Sequence, residues 1–369
     1  MNDLVHAQHL ASSTAPCELS STLRLSPYIV AEEGYCLAVR ALEDKTVYNQ
    51  IEGADGVFRT IRAGDILGGA LGERQALKGY SGRIPRQITP GDHLHVLNMG
   101  GIIGRCTADH PDLGPALRVE ILGAVLHGDP LRHARIQEHA VEPVEHLPHS
   151  APLVFVSGTA MNTGKTYAAA SLVGGLSARG LRVAAAKLTG AALMRDVRAM
   201  EAQGAFCSAC FTDAGVVATT GRDMVPIAKG LLAHLNRRNP DVLVLELGDG
   251  IIGPYGVDAI LQDMELQRHT AAHVLAATDL AGAWAADQLF RSRYRSELAV
   301  VVGPATDTEV GRRYVQNQLG VPALNARSES EALCEHVAQT IESYTAAMGN
   351  DKQSSAGTRR PVFAGALQA

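Results

Sequence analysis

Lys165 and Thr166 close a glycine-bearing loop within residues 152–166, which read PLVFVSGTAMNTGKT. Glycines allow backbone N–H groups to turn towards phosphate oxygens, a lysine adds positive charge, and a threonine hydroxyl can bind Mg²⁺. The apolar run 153–156 is typical of a strand buried in a parallel sheet, and the alanine-rich segment 167–178 is typical of a helix. The order strand, loop and helix therefore predicts a phosphate-binding loop. The alternative, a chance Gly-Lys-Thr in a glycine-rich chain, does not account for that order.

The spacing of this loop differs from the common form of the motif. Five residues separate Gly158 from Gly164, whereas the common form has four. The loop is still predicted to bind the phosphates of a nucleotide. Its predicted nucleotide-binding residues are Gly158, Thr159, Asn162, Thr163, Gly164, Lys165 and Thr166.

Lys187 ends the next apolar segment, RVAAAKLTG. Ligands of a doubly wound sheet bind beyond the carboxyl ends of its strands, so a lysine there indicates contact with an anion. The alternative is a lysine that extends to water at the rim of the sheet. We predict that Lys165 and Lys187 are the catalytic cations.

Acidic residues follow three further strands in the same way. Asp213 follows the strand in CFTDAG, and Glu246 ends the apolar strand DVLVLEL. A carboxylate there can bind Mg²⁺ opposite the Lys-Thr pair, and an unpaired buried acid would be costly, so a cation partner is expected. The predicted metal ligands are Thr166, Asp213 and Glu246. Asp249 and Asp279 are further candidates of the same kind.

The segments GTAMNTGKT and RVAAAKLTG resemble the opening of dethiobiotin synthetase, to which cobyrinic acid a,c-diamide synthase is more distantly related. The segments KLTG and FTDAG, with the strand that ends in Glu246, are also similar to a P-loop family that includes a D-glutamate N-acetyltransferase. Together these resemblances cover about residues 152–325. They identify the chain as a member of the P-loop NTPase superfamily.

The first resemblance implies a role for each matched residue. Lys165 would contact the β- and γ-phosphates of ATP, and Thr166 would hold Mg²⁺. Lys187 would bridge the substrate carboxylate or carbamate and the transferred phosphate, while Glu246 and Asp213 would complete the metal shell. The implied activity is an ATP- and Mg²⁺-dependent ligase that activates a small carboxylate or carbamate by phosphoryl transfer, for attack by an amine.

Two other functions are compatible with these motifs. One is an N-acyltransferase that uses acyl-CoA, with the CoA phosphates bound by the loop. The other is a nucleotide-gated regulator or metallochaperone, with its metal at Cys207 and Cys210 of CSAC or at His93 and His95. Against this last function, cysteines beside a strand are commonly buried small residues, and two histidines two apart commonly share a solvated strand face.

Composition limits the compartment and the partners. The chain has 369 residues, 46% of them hydrophobic, which is enough for two domains with sizeable cores. The net charge of −5 gives no reason to expect nucleic acid or an anionic membrane as a partner. Its start lacks the pattern of a secretory signal, and its six scattered cysteines suit reduced thiols. We expect a cytoplasmic homodimer with small-molecule substrates.

The pattern of predicted secondary structure changes near residue 150. Short apolar runs broken by glycine and turn residues predict a small β-rich barrel or sandwich first, and strand–helix alternation then predicts an α/β domain with a doubly wound parallel sheet. The predicted parts are a loosely ordered start (1–25), a β-rich domain (26–142), a linker (143–151), a P-loop domain (152–348) and a disordered tail (349–369).

Overall fold

The computed structural model describes residues 3–128 and 130–356, and side chains up to residue 349. A β-rich part comes first. Its strands are β1 (Leu4–His6), β2 (His9–Leu10), β3 (Thr22–Ser26), β4 (Cys36–Ala41), β5 (Gln50–Glu52), β6 (Phe58–Thr60), β7 (Ile66–Leu71), β8 (Ser81–Arg83), β9 (His93–Val96), β10 (Ile102–Ala108), β11 (Leu117–His127) and β12 (Arg132–His133).

An α/β domain follows. Its strands are β13 (Leu153–Gly158), β14 (Val183–Thr189), β15 (Cys207–Cys210), β16 (Val242–Leu247), β17 (Thr270–Ala276) and β18 (Val300–Val302). Its helices are α1 (Lys165–Ala178), α2 (Arg195–Ala202), α3 (Val225–Asn236), α4 (Val257–Gln262), α5 (Met264–Arg268), α6 (Leu280–Leu289), α7 (Glu309–Tyr314) and α8 (Ser330–Ala356).

Five strands of the first domain close into a ring. β4 pairs with β7, β7 with β10, β10 with β9, β9 with β11, and β11 with β4 again. Alternate side chains such as Leu37, Val39 and Leu67 fill the interior. Gly69 permits the close approach of β7 and β10, since a Cβ there would lie 2.6 Å from the Gly101 carbonyl oxygen. The predicted β-rich domain is confirmed, in its barrel form.

The start of the chain differs from the expectation of loose order. β1 pairs antiparallel with β3, and β3 pairs with β11 of the ring. Leu23 and Leu25 are buried while Arg24 between them is exposed, which is the alternation of a strand with one covered face. Residues 3–25 are therefore part of the β-rich domain, because these two leucines add to its core.

Residues 143–151 form no helix or strand, but they pack against the second domain. The Val144 amide donates to the Pro226 carbonyl at 3.0 Å, and the side chain of Leu147 is buried in the core of the α/β domain. The connection is thus held along α3 rather than extended into solvent.

The second domain has a six-stranded parallel sheet in the order β15-β14-β16-β13-β17-β18. Helices cover both faces. Phe155 and Leu245 pack into the core on one face, and Val154 and Val244 into the core on the other. The predicted doubly wound α/β fold is confirmed. Ala323 adds one isolated parallel bridge to Val301 of β18.

The end of the described chain also differs from the prediction. α8 continues to Ala356, so residues 349–356 are helical where disorder was expected, and residues 357–369 lie outside the described residues. Within the described ranges, no helix is both long and apolar enough to cross a membrane.

Candidate functional site

The loop after β13 has the geometry of a phosphate-binding loop. Asn162 and Gly164 adopt positive φ (63° and 90°), and α1 begins directly at Lys165. Gly158 is required there, because a Cβ would lie 2.6 Å from the hydroxyl of Thr163 and 2.9 Å from the side chain of Lys165. The loop therefore curls back over its strand and points the first turn of α1 at the enclosed space.

Lys165 lies back across this loop. Its Nζ donates to the Ala160 carbonyl at 2.8 Å, and its side chain is buried. Burial lowers the pKa of Lys165, while the charges of Glu246 and Asp249 act in the opposite direction. A buried ammonium bonded to a single backbone carbonyl is suited to meet anionic phosphate oxygens.

Four polar side chains, three of them buried, meet at the N-terminal end of α1. The register between β14 and β16 sets Lys187 beside Glu246. The Thr166 hydroxyl lies 3.0 Å from Glu246 Oε1 and 3.1 Å from Asp196 Oδ1. Lys187 Nζ donates to Asp196 Oδ2, and Lys187, Asp196 and Glu246 are only 4%, 6% and 3% exposed.

This group fits a magnesium ion. It offers one hydroxyl and two carboxylates, the hard oxygen donors that Mg²⁺ prefers. Glu246 Oε2 is buried and has no hydrogen-bond partner among the described residues, which leaves an acceptor free for a cation. Thr166, Asp196 and Glu246 are the residues that would hold the ion.

The two carboxylates have different pKa values. Burial, and next the charge of Asp196, raises the pKa of Glu246 to about 7. Burial acts in the same direction on Asp196, but the adjacent Lys187 ammonium outweighs it and lowers the pKa of that carboxyl. Lys187 therefore holds Asp196 ionised, while Glu246 exchanges its proton near neutral pH.

The structure does not bring Asp213 to this group. β15 ends at Cys210, and the chain turns at once into a single 3-10 turn, in which Asp213 accepts the Cys210 amide at 2.8 Å. The second carboxylate beside Thr166, after that of Glu246, belongs to Asp196, which the sequence pattern did not single out. Its only signal is its place in the first turn of α2, just after the loop that follows Lys187.

The two further acidic candidates have different surroundings. Asp249 lines the same cavity as Lys165, with a positive φ of 65°, and burial raises its pKa. Asp279 caps α6, because its side chain accepts the Gly282 amide at 2.7 Å. Asp249 thus belongs to the site and Asp279 to a helix end.

A cavity of about 580 Å³ separates the loop from the barrel domain. Lys165, Lys187 and Glu246 line it on one side. The barrel side is lined by Tyr48, Arg74, Lys78, Asn98, Met99 and Leu113. Both domains therefore build its walls.

Hydrogen bonds join the two domains around this cavity. Asn98 Nδ2 donates to the Ala192 carbonyl at 2.8 Å, and the Leu77 amide donates to the Tyr255 hydroxyl at 3.1 Å. Tyr48, Asn162 and Asp249, three non-glycine residues with positive φ, all line the cavity. Such conformations are costly and persist where the surrounding structure enforces them, commonly at functional sites.

The suggested metal pairs are not assembled into larger sets. Cys207 and Cys210 are three apart on one strand, so they point to opposite faces. His93 is exposed, and His95 Nδ1 accepts the Cys106 amide at 3.2 Å. No group of three or more His, Cys, Asp or Glu side chains that could hold a metal occurs within residues 3–128 and 130–349.

No protein-family model matches the chain, and no curated protein matches its sequence. Solved structures match just over half of it. A DUF1611 family protein from Anabaena variabilis is 14% identical over 56% of this chain and 64% of its own (TM-score 0.38). HypB from Helicobacter pylori, in complex with nickel, is 15% identical over 53% of this chain and 87% of its own (TM-score 0.34). The signal recognition particle receptor FtsY from Elizabethkingia anophelis is 13% identical over 56% of this chain and 69% of its own (TM-score 0.34).

Likeness at this level assigns no function. The P-loop fold follows from the chain's own strand order and loop geometry. The resemblance to dethiobiotin synthetase gains no support from these structures and stays a hypothesis.

Proposed function

We propose that the protein is an ATP- and Mg²⁺-dependent ligase that activates a small carboxylate or carbamate by phosphoryl transfer. This proposal rests on the hydrogen-bonded group of Thr166, Asp196, Glu246 and Lys187. The group lies beside Lys165 in the wall of a cavity of about 580 Å³, which has room for the phosphates of a nucleotide and a small substrate. ATP itself, rather than another nucleotide, is proposed on the sequence resemblance.

The reaction has two balanced steps. A substrate oxygen attacks the γ-phosphorus, the bond to the β–γ bridging oxygen breaks, and ADP leaves with that electron pair. The amine nitrogen then attacks the activated carbon, inorganic phosphate leaves, and the amine releases its proton. No protein nucleophile is needed, so the chain contributes position and charge.

The residues of the site have separable roles. The loop amides and Lys165 would bind and neutralise the phosphates. Lys187 holds Asp196 in its ionised form and orients it towards Thr166. When bound, Mg²⁺ would neutralise charge on the transferred phosphate. The barrel domain closes the opposite wall and excludes water from the activated intermediate.

The test begins with thermal unfolding of wild type and Lys165→Ala in ATP·Mg²⁺, GTP·Mg²⁺ or acetyl-CoA. A ligand at a hundred times its dissociation constant stabilises the fold by about 2.7 kcal/mol, which is easily measured. We expect a shift with ATP·Mg²⁺ that Lys165→Ala loses, and ADP release that requires both a carboxylate and an amine. A shift with acetyl-CoA and none with ATP would refute the ligase and favour the acyltransferase.

A further inference from the structure

Arg74 is a buried arginine of the barrel domain that faces the cavity. It is only 7% exposed, and it lines the cavity opposite the phosphate-binding loop. Its Nη1 donates to the Leu97 carbonyl. No carboxylate of the described residues lies within ion-pair distance of it. Burying an unpaired charge is costly, so an arginine in this position indicates an anionic ligand.

The position of Arg74 is fixed on both sides. Its backbone amide and carbonyl both bond to Gly82, at 2.9 and 2.8 Å. Gly79, with a φ of 139°, lies against the guanidinium, where a Cβ would approach Nη2 to 2.8 Å. The side chain is thus held in place before any ligand arrives, which reduces the entropy lost on binding.

The other cationic side chains of the cavity wall are either already assigned a partner or function, or exposed to solvent. Lys187 already has a carboxylate partner, and Lys165 belongs to the phosphate-binding loop. Arg195 and Lys78 are exposed to solvent, so their charges are hydrated without a ligand. Arg74 is thus a buried cation of this wall that the proposed nucleotide chemistry leaves without a function.

The chemistry of the anion follows from the charges nearby. A guanidinium binds a planar carboxylate through two parallel hydrogen bonds. Asp249 lines the same cavity and is close enough for the charge of Arg74 to oppose the burial that raises its pKa. This second acid disfavours a dianionic phosphate at Arg74 and leaves a singly charged carboxylate as the matching group.

We propose that Arg74 binds a carboxylate of the substrate, distinct from the group that is activated, so that the substrate carries two carboxylates or a carboxylate and a carbamate. The inference rests on the proposed function for the identity of the activated group. The barrel domain then determines specificity, through a residue that the phosphate-binding loop does not supply.

The experiment compares α,ω-dicarboxylates from malonate to adipate with monocarboxylates of equal length, by calorimetric titration and thermal unfolding. The proteins are wild type, Arg74→Gln and the control Arg83→Gln, which removes an exposed arginine on β8 that does not line the cavity. We expect at least one dicarboxylate to bind wild type more tightly than its matched monocarboxylate. Arg74→Gln should weaken that binding by about tenfold or more, the loss of a charge-assisted pair, while Arg83→Gln leaves it unchanged.

Two results would overturn the proposal: no dicarboxylate binds better than its monocarboxylate, or Arg74→Gln binds as wild type does. If Arg74→Gln does not fold, Arg74→Lys replaces it, and unchanged affinity in that variant is equally contrary, because one ammonium cannot make the paired bonds. The ATP·Mg²⁺ titration is independent. Its failure would refute the ligase and leave the dicarboxylate series to decide the role of Arg74.

Discussion

The carboxylate of Glu52 accepts the backbone amide of Arg195 at 2.6 Å and that of Met194 at 2.7 Å. Glu52 lies on β5 of the barrel domain and is completely buried, whereas the two amides begin α2 of the P-loop domain. The first amides of a helix lack intrahelical acceptors, and a carboxylate there also complements the helix dipole. One domain therefore caps the helix that carries Asp196 of the other.

Substitution of Glu52 tests whether this cap positions Asp196. Glu52→Gln offers only one acceptor oxygen for two amides, and we expect it to lower the free energy of unfolding by about 1–2 kcal/mol. It should also weaken Mg²⁺-dependent nucleotide binding several-fold more than metal-free nucleotide binding. Titration of nucleotide with Mg²⁺ and with EDTA measures this difference, which a purely structural role would not produce.

Asp263 provides the matched control. It caps α5 through the amides of Glu265 and Leu266, away from the cavity. Asp263→Ala removes both of these bonds and the ion pair of Asp263 with Lys229, so it should reduce stability at least as much as Glu52→Gln does, while the ratio of the two nucleotide affinities stays as in wild type. If both variants shift that ratio equally, the cap of α2 has no specific role.

A second pair of substitutions tests which of Asp196 and Asp213 is the metal ligand. Asp196→Asn removes the carboxylate that is bonded to the buried Lys187 ammonium, so we expect a loss of roughly 3 kcal/mol in stability and of the Mg²⁺-dependent part of nucleotide binding. Asp213→Asn keeps an amide oxygen that can accept the Cys210 amide, so we expect stability to change by about 1 kcal/mol or less. Retained Mg²⁺ dependence in Asp196→Asn, or its loss in Asp213→Asn, would contradict the assignment of Asp196 as a metal ligand.

Gly175 tests the packing behind the phosphate-binding loop. A Cβ at this position of α1 would lie 2.2 Å from the Cys334 sulfur of α8. Gly175→Ala should therefore force the two helices apart and cost about 1–3 kcal/mol. Gly349→Ala is the control within α8, since a Cβ there meets nothing within 4 Å, and we expect stability to stay equal or rise slightly. Denaturant unfolding that ranks the two variants the other way would show that α1 and α8 are not in contact.

His273 predicts a loss of stability in acid. Burial lowers its pKa from 6.5 to about 3, and its ring stacks on Phe155. Between pH 6.5 and pH 3 the unfolded chain binds a proton on His273 that the folded chain does not. The stability that neutral His273 contributes is therefore complete above about pH 6.5 and is lost as the pH falls towards 3. His273→Phe should flatten the dependence of unfolding free energy on pH in that range. Substitution of the exposed His93 by Gln should leave the dependence unchanged.

The P-loop sheet was predictable because its signals are local. Each central strand is a continuous apolar run, and the glycine loop with Lys165 can only follow such a strand. Lys187 and Glu246 are brought together at neighbouring strand ends, as their positions after apolar runs indicate.

Asp196 was missed because nothing in its neighbourhood marks it. It is an ordinary acidic residue in a helix, and the packing of α2 against α1 and β14 sets it beside Thr166. Asp213 was misplaced because the strand ends at Cys210, and the three residues that follow turn back on themselves. The contributions of the barrel domain, Arg74 in the cavity wall and Glu52 at the start of α2, arise from tertiary structure, and no spacing in the sequence indicates them.

The closed ring of the barrel has a consequence for the choice of substrate. In a closed ring β7 is paired on both sides, so its register cannot shift. The segment that follows β7 carries Arg74, whose backbone is bonded to Gly82 of β8. The ring holds Arg74 within the barrel domain, and the hydrogen bonds from Asn98 to Ala192 and from Leu77 to Tyr255 hold that domain against the domain of the phosphate-binding loop. Arg74 and the cations of the phosphate-binding loop are then two positive sites at a fixed separation. The protein should select a substrate by the distance between its two anionic groups, and a substrate that is one methylene too short or too long cannot reach both sites.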